Sequence, residues 1–361
     1  MRATNSEAQL AISEVKQQVD SQLAKIYEEY IASANQIEAS YGQLLISMQE
    51  FIERGGKRLR PYLTYLGYYG LAGDNNPAII KVAAAQELLH NFLLIHDDII
   101  DRDESRYHGP NISGVYYNQF LGNHSEAEAL HYGRSVALLA GDINHLLTHK
   151  VIIDSGFEGD HKLQALNWLT QKTFEVIGGE FLDLTVSVEP GSNATKAQLL
   201  SVARYKTASY SFECPLVIGA LLAGANQADT EALSQFALPL GIAYQLQDDM
   251  LGVFGDPSST GKSITSDLAE GKQTLLMHYG FEYGDSQQVD VLEAVYGRPD
   301  LKESDVKKVR YILEENGAAD AVREEIKDYS HEALESIPSS LSPSVGQELE
   351  QLLDSLVDRT R

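Results

Sequence analysis

AAAQELLHNFLLIHDDIID, residues 83–101, is the stretch that sets the architecture. Ala84, Leu88 and Phe92 recur every four residues, the spacing of one helix face rather than of a strand. The same interval returns in Leu233, Phe236, Ala237 and Leu240. No run of strict apolar and polar alternation closed by hairpin turns competes with it, so the chain reads as all-α.

Outward from that segment, Gly, Pro, Asn and Ser clusters mark the breaks between helices. They are GLAGDNNP (70–77), HGPNISG (108–114), VEPGSNATK (188–196), GDPSSTGKS (255–263) and GRPD (297–300). The first 40 residues are polar and read as helices on the outside of the body. After Pro338 and Pro343 a short amphipathic stretch, 345–357, closes the chain.

Composition narrows the function. The chain has 361 residues, 43% of them hydrophobic, enough to bury a large core. Its 28 Lys plus Arg stand against 52 Asp plus Glu, a formal charge of -24, which repels nucleic-acid backbones. Cys214 is the single cysteine and cannot form an internal disulfide, which fits a reducing cytoplasm. The opening MRATNSEAQLAISEVKQQVD lacks the apolar run of a secretory signal. Nowhere do about 18 uncharged apolar residues follow one another, so no transmembrane segment is expected.

Two stretches carry an aspartate pair after an apolar helical run: LLIHDDIIDRD (93–103) and YQLQDDMLGVFGD (244–256). A carboxylate in such surroundings needs a cation or a metal. Asp97 and Asp101, four apart, share a helix face, with Asp98 turned about 100° away. Oxygen-only ligands favour a hard cation, and Mg²⁺ is the one that combines a few carboxylates with water and substrate phosphates. Two such clusters facing one another would let an acidic protein hold a diphosphate. The scarce positive charge suits this: RGGKRLRP (54–61) sets four cations beside two glycines, Arg102 and Arg106 follow the first cluster, and Lys262 and Lys272 follow the second.

These residues, together with LAGD (139–142), GGEFLDL (178–184), KTAS (206–209) and EGKQTLL (270–276), resemble the trans-isoprenyl diphosphate synthases, or polyprenyl synthetases, over roughly 45–335. Within that family they resemble the geranylgeranyl and farnesyl diphosphate synthase branch. The resemblance implies a large helical bundle with a deep central cavity and a catalytic domain over 45–335; the outer segments add little to it and are expected to be an N-terminal helical extension, 1–44, and a C-terminal helical tail, 336–361. It implies Asp97, Asp101 and Asp248 as main Mg²⁺ ligands, with Asp98, Asp249 and Asp256 in support and about three ions per active site. Gly56, Lys57, Arg60 and His90 resemble the isopentenyl diphosphate site. Arg106, Lys206, Gln245, Lys262 and Lys272 resemble the holders of the allylic diphosphate, and Thr207 and Gln245 would face the allylic cation with oxygen dipoles. His96 is read as orienting its helix rather than binding metal.

The implied reaction ionises the allylic carbon–oxygen bond, joins isopentenyl diphosphate to the cation head to tail and eliminates a proton. The cavity floor falls on Phe92 and Leu93, five and four residues before Asp97, or roughly 6–8 Å lower at about 1.5 Å per residue. An aromatic below an aliphatic there resembles geranylgeranyl formation, with farnesyl as the alternative. A homodimer is expected, since helices such as 202–223 are apolar on more than one side.

Three departures from the family pattern stand out. Tyr107 replaces the second arginine after the first motif. The second motif ends in Gly252 where the fuller form has Asp. The connection 109–139 is long, rich in Tyr, Asn and His, and reads as a lid or partner-contacting loop. Residues 248–256 lack the second metal motif of a terpene cyclase, a non-catalytic subunit would lack Asp97, Asp101 or the lysines, and the further ligands of an HD-type phosphohydrolase cannot be placed.

Overall fold

The computed structural model describes residues 5–72, 76–188, 194–255, 268–269, 271–298 and 300–357, with side chains from residue 12 onward. The chain divides into two compact units, Met1–Leu166 with Ile218–Gly224 and Asn167–Val217 with Ala225–Arg361.

The first unit contains α1 (Asn5–Ile37), α2 (Ala39–Glu53), α3 (Leu59–Ala72) and α4 (Ala78–Ile100). A two-stranded hairpin follows, β1 (Ser105–Arg106) and β2 (Gly109–Pro110), then α5 (Ile112–Leu121) and α6 (Glu126–Ile153). Helix α4 lies at the centre, packed on α1, α3 and α6. Its Val82, Ala83, Ala84, Ala85, Leu88, Leu89, Phe92 and Ile95 are all buried, which is why it is apolar almost all round. Helices α4 and α6 are long and apolar enough to cross a membrane by length and composition, but two thirds of the α4 window is buried inside the protein.

Two expectations are corrected here. The stretch 109–139 is not a loop: Asn111 caps α5 by accepting from the Gly114 N–H at 2.8 Å, and a Ser125–Glu128 capping box starts α6. The two helices pack so closely that a Cβ on Gly133 would lie 2.5 Å from the Ser113 carbonyl oxygen. Nor is the N-terminal segment merely superficial, because Val15, Val19, Leu23 and Ile26 form a buried stripe along α1. Polar residues between them mask this stripe in the sequence.

The second unit takes α7 (Gly159–Val188) from Asn167 onward, and α8 (Lys196–Val202), started by a Thr195–Gln198 capping box. A π-helical segment, Ala203–Glu213, leads into α9 (Cys214–Leu222), of which the part from Ile218 onward belongs to the first unit. Then come α10 (Gln227–Phe254), α11 (Leu275–Tyr283), α12 (Ser286–Val295), α13 (Glu303–Glu315), α14 (Ala318–Glu335) and α15 (Pro343–Val357). Helix α10 packs on the π segment and on α14, and its Leu246, Met250 and Val253 join Leu275, Leu276, Leu313 and Val322 in one core. Arg310 closes the end of α10 by donating to the Val253 and Gly255 carbonyls at 2.5 and 3.0 Å, a cation where the helix dipole is negative.

Candidate active site

In the first unit the glycine-rich loop turns sharply between α2 and α3. Gly56 has φ 109° and Arg58 φ 56°, and a Cβ on Gly56 would sit 2.7 Å from Arg58 Nη1, so only glycine fits there. Lys57 is exposed and Arg60 half-buried at the start of α3. Arg58 is buried instead, with Nη1 donating to Glu87 Oε2 and Gly55 O at 2.8 Å each and Nη2 to Ile52 O at 2.9 Å. Nothing in the basic run 54–61 sets Arg58 apart for this role. The signal was a lone Glu87 in the apolar face of α4, which needs a cation partner.

His90, one turn beyond Glu87, is half-buried, and burial together with the charges of Arg60, Arg106 and Arg58 holds its pKa well below 6.5. The imidazole is therefore neutral at neutral pH. A depressed pKa means that the folded state resists the proton that the unfolded chain accepts. The resulting stability is complete above about pH 6.5 and is lost as pH falls below it. Thermal melts across about pH 5–8 should show this slope, reduced in His90→Gln. An unchanged difference between the two proteins across the range would contradict it.

The first aspartate motif lies at the C-terminal end of α4, where backbone carbonyls already attract cations. Asp101 is the C-cap, its N–H donating to the Asp97 carbonyl at 2.8 Å. Asp98 points elsewhere. It is buried and receives Arg106 Nε and Nη2 on Oδ1, both at 2.6 Å, while its Oδ2 is buried without a hydrogen-bond partner among the described residues. Burial pushes its carboxyl up to about 6 against the pull of Arg106. Arg106 also reaches Asp97 Oδ2 at 3.6 Å. The hairpin aims this arginine, turning on Tyr107 and His108 in left-handed backbone (φ 54° and 60°). Tyr107 occupies the place of the missing arginine, and its ring packs over Gly55 and lies 6.1 Å from the Phe51 ring. His96 turns to α6, with Nε2 3.1 Å from the Leu138 carbonyl. Phe92 stacks on His145 with ring centroids 4.8 Å apart and meets His96 edge-on at 4.9 Å, with half-buried Leu93 beside it in the helix.

In the second unit the π segment carries Lys206 and Thr207. A π-helical run is rare and concentrates at functional sites. Here it wedges between two glycines: a Cβ on Gly179 would lie 2.3 Å from the Lys206 nitrogen, and one on Gly241 2.5 Å from the Ala208 Cα. Its far end is pinned by Ser209 donating to Glu175 at 2.7 Å and by buried Lys172, which bridges Glu175 and Glu213 at 2.9 and 2.8 Å. Next in the chain, Cys214 is fully buried, and burial pushes its thiol pKa up.

Lys206 Nζ lies 2.6 Å from Asp183 and 2.9 Å from Glu180, acids of the GGEFLDL motif whose role the sequence alone does not show. Thr207 donates to Gln245 Oε1 at 2.7 Å, and Gln245 passes the chain on to Asp249 Oδ1 at 2.7 Å. Asp183, Lys206, Thr207, Gln245, Asp249 and Lys272 line one cleft with Leu199, Val202 and Leu246. Asp248 is exposed one residue before Asp249. Lys262 and Asp256 lie outside the described residues.

Among the described residues no three carboxylate, imidazole or thiol groups converge closely enough to hold a metal by themselves. Mg²⁺ keeps several waters and completes its shell with substrate phosphates. The carboxylates of Asp97 and Asp101 at a helix C-terminus are the right donors for it.

The polyprenyl synthetase family model matches residues 43–313. A geranylfarnesyl diphosphate synthase of Aeropyrum pernix is 34% identical over 85% of this chain and 90% of its own. A short chain isoprenyl diphosphate synthase of Methanocaldococcus jannaschii is 32% identical over 72% of each chain. Among solved structures, the geranylgeranyl pyrophosphate synthase of Corynebacterium glutamicum, complexed with isoprenyl diphosphate and magnesium, superimposes with TM-score 0.89 at 28% identity, over 96% of this chain and 99% of that one. The chain thus belongs to the polyprenyl synthetase family, and it is a prenyltransferase.

Proposed function

We propose that this prenyltransferase joins isopentenyl diphosphate head to tail with an allylic diphosphate and releases a short-chain trans-polyprenyl diphosphate, chiefly the twenty-carbon geranylgeranyl product. The observation that carries the reading is the cleft in which Lys206, Thr207, Gln245, Asp249 and Lys272 meet over an apolar wall. Lysines there hold a diphosphate, while Thr207 and Gln245 present oxygen dipoles to a carbocation. The wall keeps water from trapping that cation.

Asp97, Asp101 and Asp248 would bind Mg²⁺, about three ions in all, with Asp98 and Asp249 in support. Bound Mg²⁺ would neutralise the charge that develops on the leaving diphosphate. Lys57, Arg60 and His90 hold isopentenyl diphosphate beside Gly56, and Arg106 and Lys206 hold the allylic diphosphate. Neutral His90 serves as a hydrogen-bond donor there, not as a charge. The proton lost at the end goes to the departing diphosphate, so no protein base is invoked. Catalysis is assigned to residues 45–335, with 1–44 as a helical extension and 336–361 as a tail.

Product length follows from Phe92. Its ring is only 6% exposed and is backed by His145, which suits a floor below the first aspartate motif, with Leu93 above it. Incubation with Mg²⁺, isopentenyl diphosphate and farnesyl diphosphate should give a twenty-carbon product, and Phe92→Ala a longer one. Cyclic hydrocarbon, free phosphate or no elongation would refute the function. Unchanged length in active Phe92→Ala would refute only the floor.

The chain also acts as a homodimer in the cytoplasm under this reading. On α6, Leu139, Leu146 and Ile153 form an exposed apolar stripe, and on α7 Phe174, Ile177 and Phe181 form another. Light scattering at micromolar concentration should give twice the chain mass, and a monomer mass would refute the dimer.

A further inference from the structure

We propose that helix α1, which precedes the residues matched by the family model, is a brace that positions the glycine-rich loop 54–58 for isopentenyl diphosphate through Lys16 and Asp20. The inference rests on the reading of Lys57 and Arg60 as ligands of that substrate.

The loop holds Gly56 and Arg58 at φ 109° and 56°. A non-glycine residue in left-handed backbone persists only where its surroundings over-determine it. Three of those restraints come from nearby carbonyls and from Glu87, as described above. The fourth and fifth come from α1. Asp20 Oδ1 accepts from Arg58 Nε at 2.7 Å, and Lys16 Nζ donates to the Gly56 carbonyl at 3.0 Å. Lys16 and Asp20 are four apart and therefore share one face of the helix. They reach two loop residues that flank Lys57, the exposed cation between them.

The brace is itself fixed. Beside the buried stripe of α1, Tyr27 is fully buried and its hydroxyl donates to Asn144 Oδ1 of α6 at 2.8 Å. Motion of α1 is thus tied to the packed interior and not to a fraying terminus. With Asp20 and Glu87 both on its guanidinium, Arg58 is neutralised and acts as a positioning residue, leaving Lys57 and Arg60 to meet the phosphate.

The test uses the full chain carrying Lys16→Ala and Asp20→Ala together. The expected result is a KM for isopentenyl diphosphate raised about fivefold, the loss of two partly exposed charge-assisted hydrogen bonds. KM for the allylic substrate and kcat should stay within about twofold, because Lys16 and Asp20 act on the loop that holds isopentenyl diphosphate and not on the π segment with its lysine. Hydrogen exchange of peptides covering 54–58 should quicken in the variant, and Asp20→Glu alone should keep it slow. Unchanged exchange at 54–58 in a folded variant, or a KM rise shared equally by both substrates, overturns the proposal. If the wild-type chain elongates no substrate, the proposed function fails, whereas the exchange comparison still decides whether α1 braces the loop.

Discussion

Asp97→Asn or Asp248→Asn lowers turnover by on the order of 10²-fold while circular dichroism remains that of the parent. Each change removes one negative charge and keeps the side-chain shape. Asp97 sits at the carbonyl end of α4, where the helix dipole and the carboxylate act together on a cation. Its side chain is 24% exposed and lies 3.6 Å from Arg106 Nη2. Asp248 is exposed on α10. A loss of rate with the helical signal intact would belong to ionisation of the substrate, and the Mg²⁺ concentration giving half-maximal rate should rise in both variants. Near-normal turnover of both proteins in saturating Mg²⁺ would sink the assignment. Asp98→Asn is expected to behave differently, because it removes the buried negative charge opposite Arg106 and so loosens the hairpin as well.

Gly179→Ala is the second large effect, and it reaches the chemistry through packing alone. A methyl placed at this glycine would overlap the backbone of Tyr205 and Lys206 at 2.6 and 2.3 Å. Backbone cannot swing away like a side-chain tip, so the π segment must retreat from α7. Overpacking of this kind destabilises by about 1–3 kcal/mol. The shift also carries Lys206 away from Glu180 and Asp183 and Thr207 away from Gln245. Misplacement by about 1 Å is enough to lower a rate on the order of 10²-fold. Thermal melting and steady-state kinetics check the two parts together. A variant with the parent's melting temperature and kcat would show that the segment tolerates the methyl. At Gly178, next to it, an added Cβ would meet no described atom within 4 Å, so Gly178→Ala is the natural control.

Much of this arrangement is legible in the sequence. The apolar interval through Ala84, Leu88 and Phe92 marks α4 because large side chains repeat on its buried face. The breaks at 70–77, 188–196 and 255–263 fall where α3, α7 and α10 end. Lys206, Thr207, Gln245, Asp249 and Lys272 stand out through their motifs, and the structure brings them to one cleft. Other features are hidden for physical reasons. Helix α6 meets α5 at Gly133 and buries Ala129, Ala137 and Ala140, small residues that leave no strong apolar signature among the tyrosines and histidines of that stretch. The π segment cannot be told from an α-helix by spacing, since its register depends on the glycines facing it. Arg58, between Lys57 and Arg60 in a basic run, reads as another phosphate ligand, yet partners 38 and 29 residues away bury it.

Cys214 has a practical consequence. It is the only sulfhydryl in the chain, it is enclosed at the junction of the π segment and α9, and it is held in the thiol form. Alkylating agents and mild oxidants act on accessible thiolate, so the folded protein presents them with no target. A cysteine introduced at the exposed Tyr311 or Leu334 would then be the sole reactive handle on the surface, available for a fluorophore or spin label without first removing the native one.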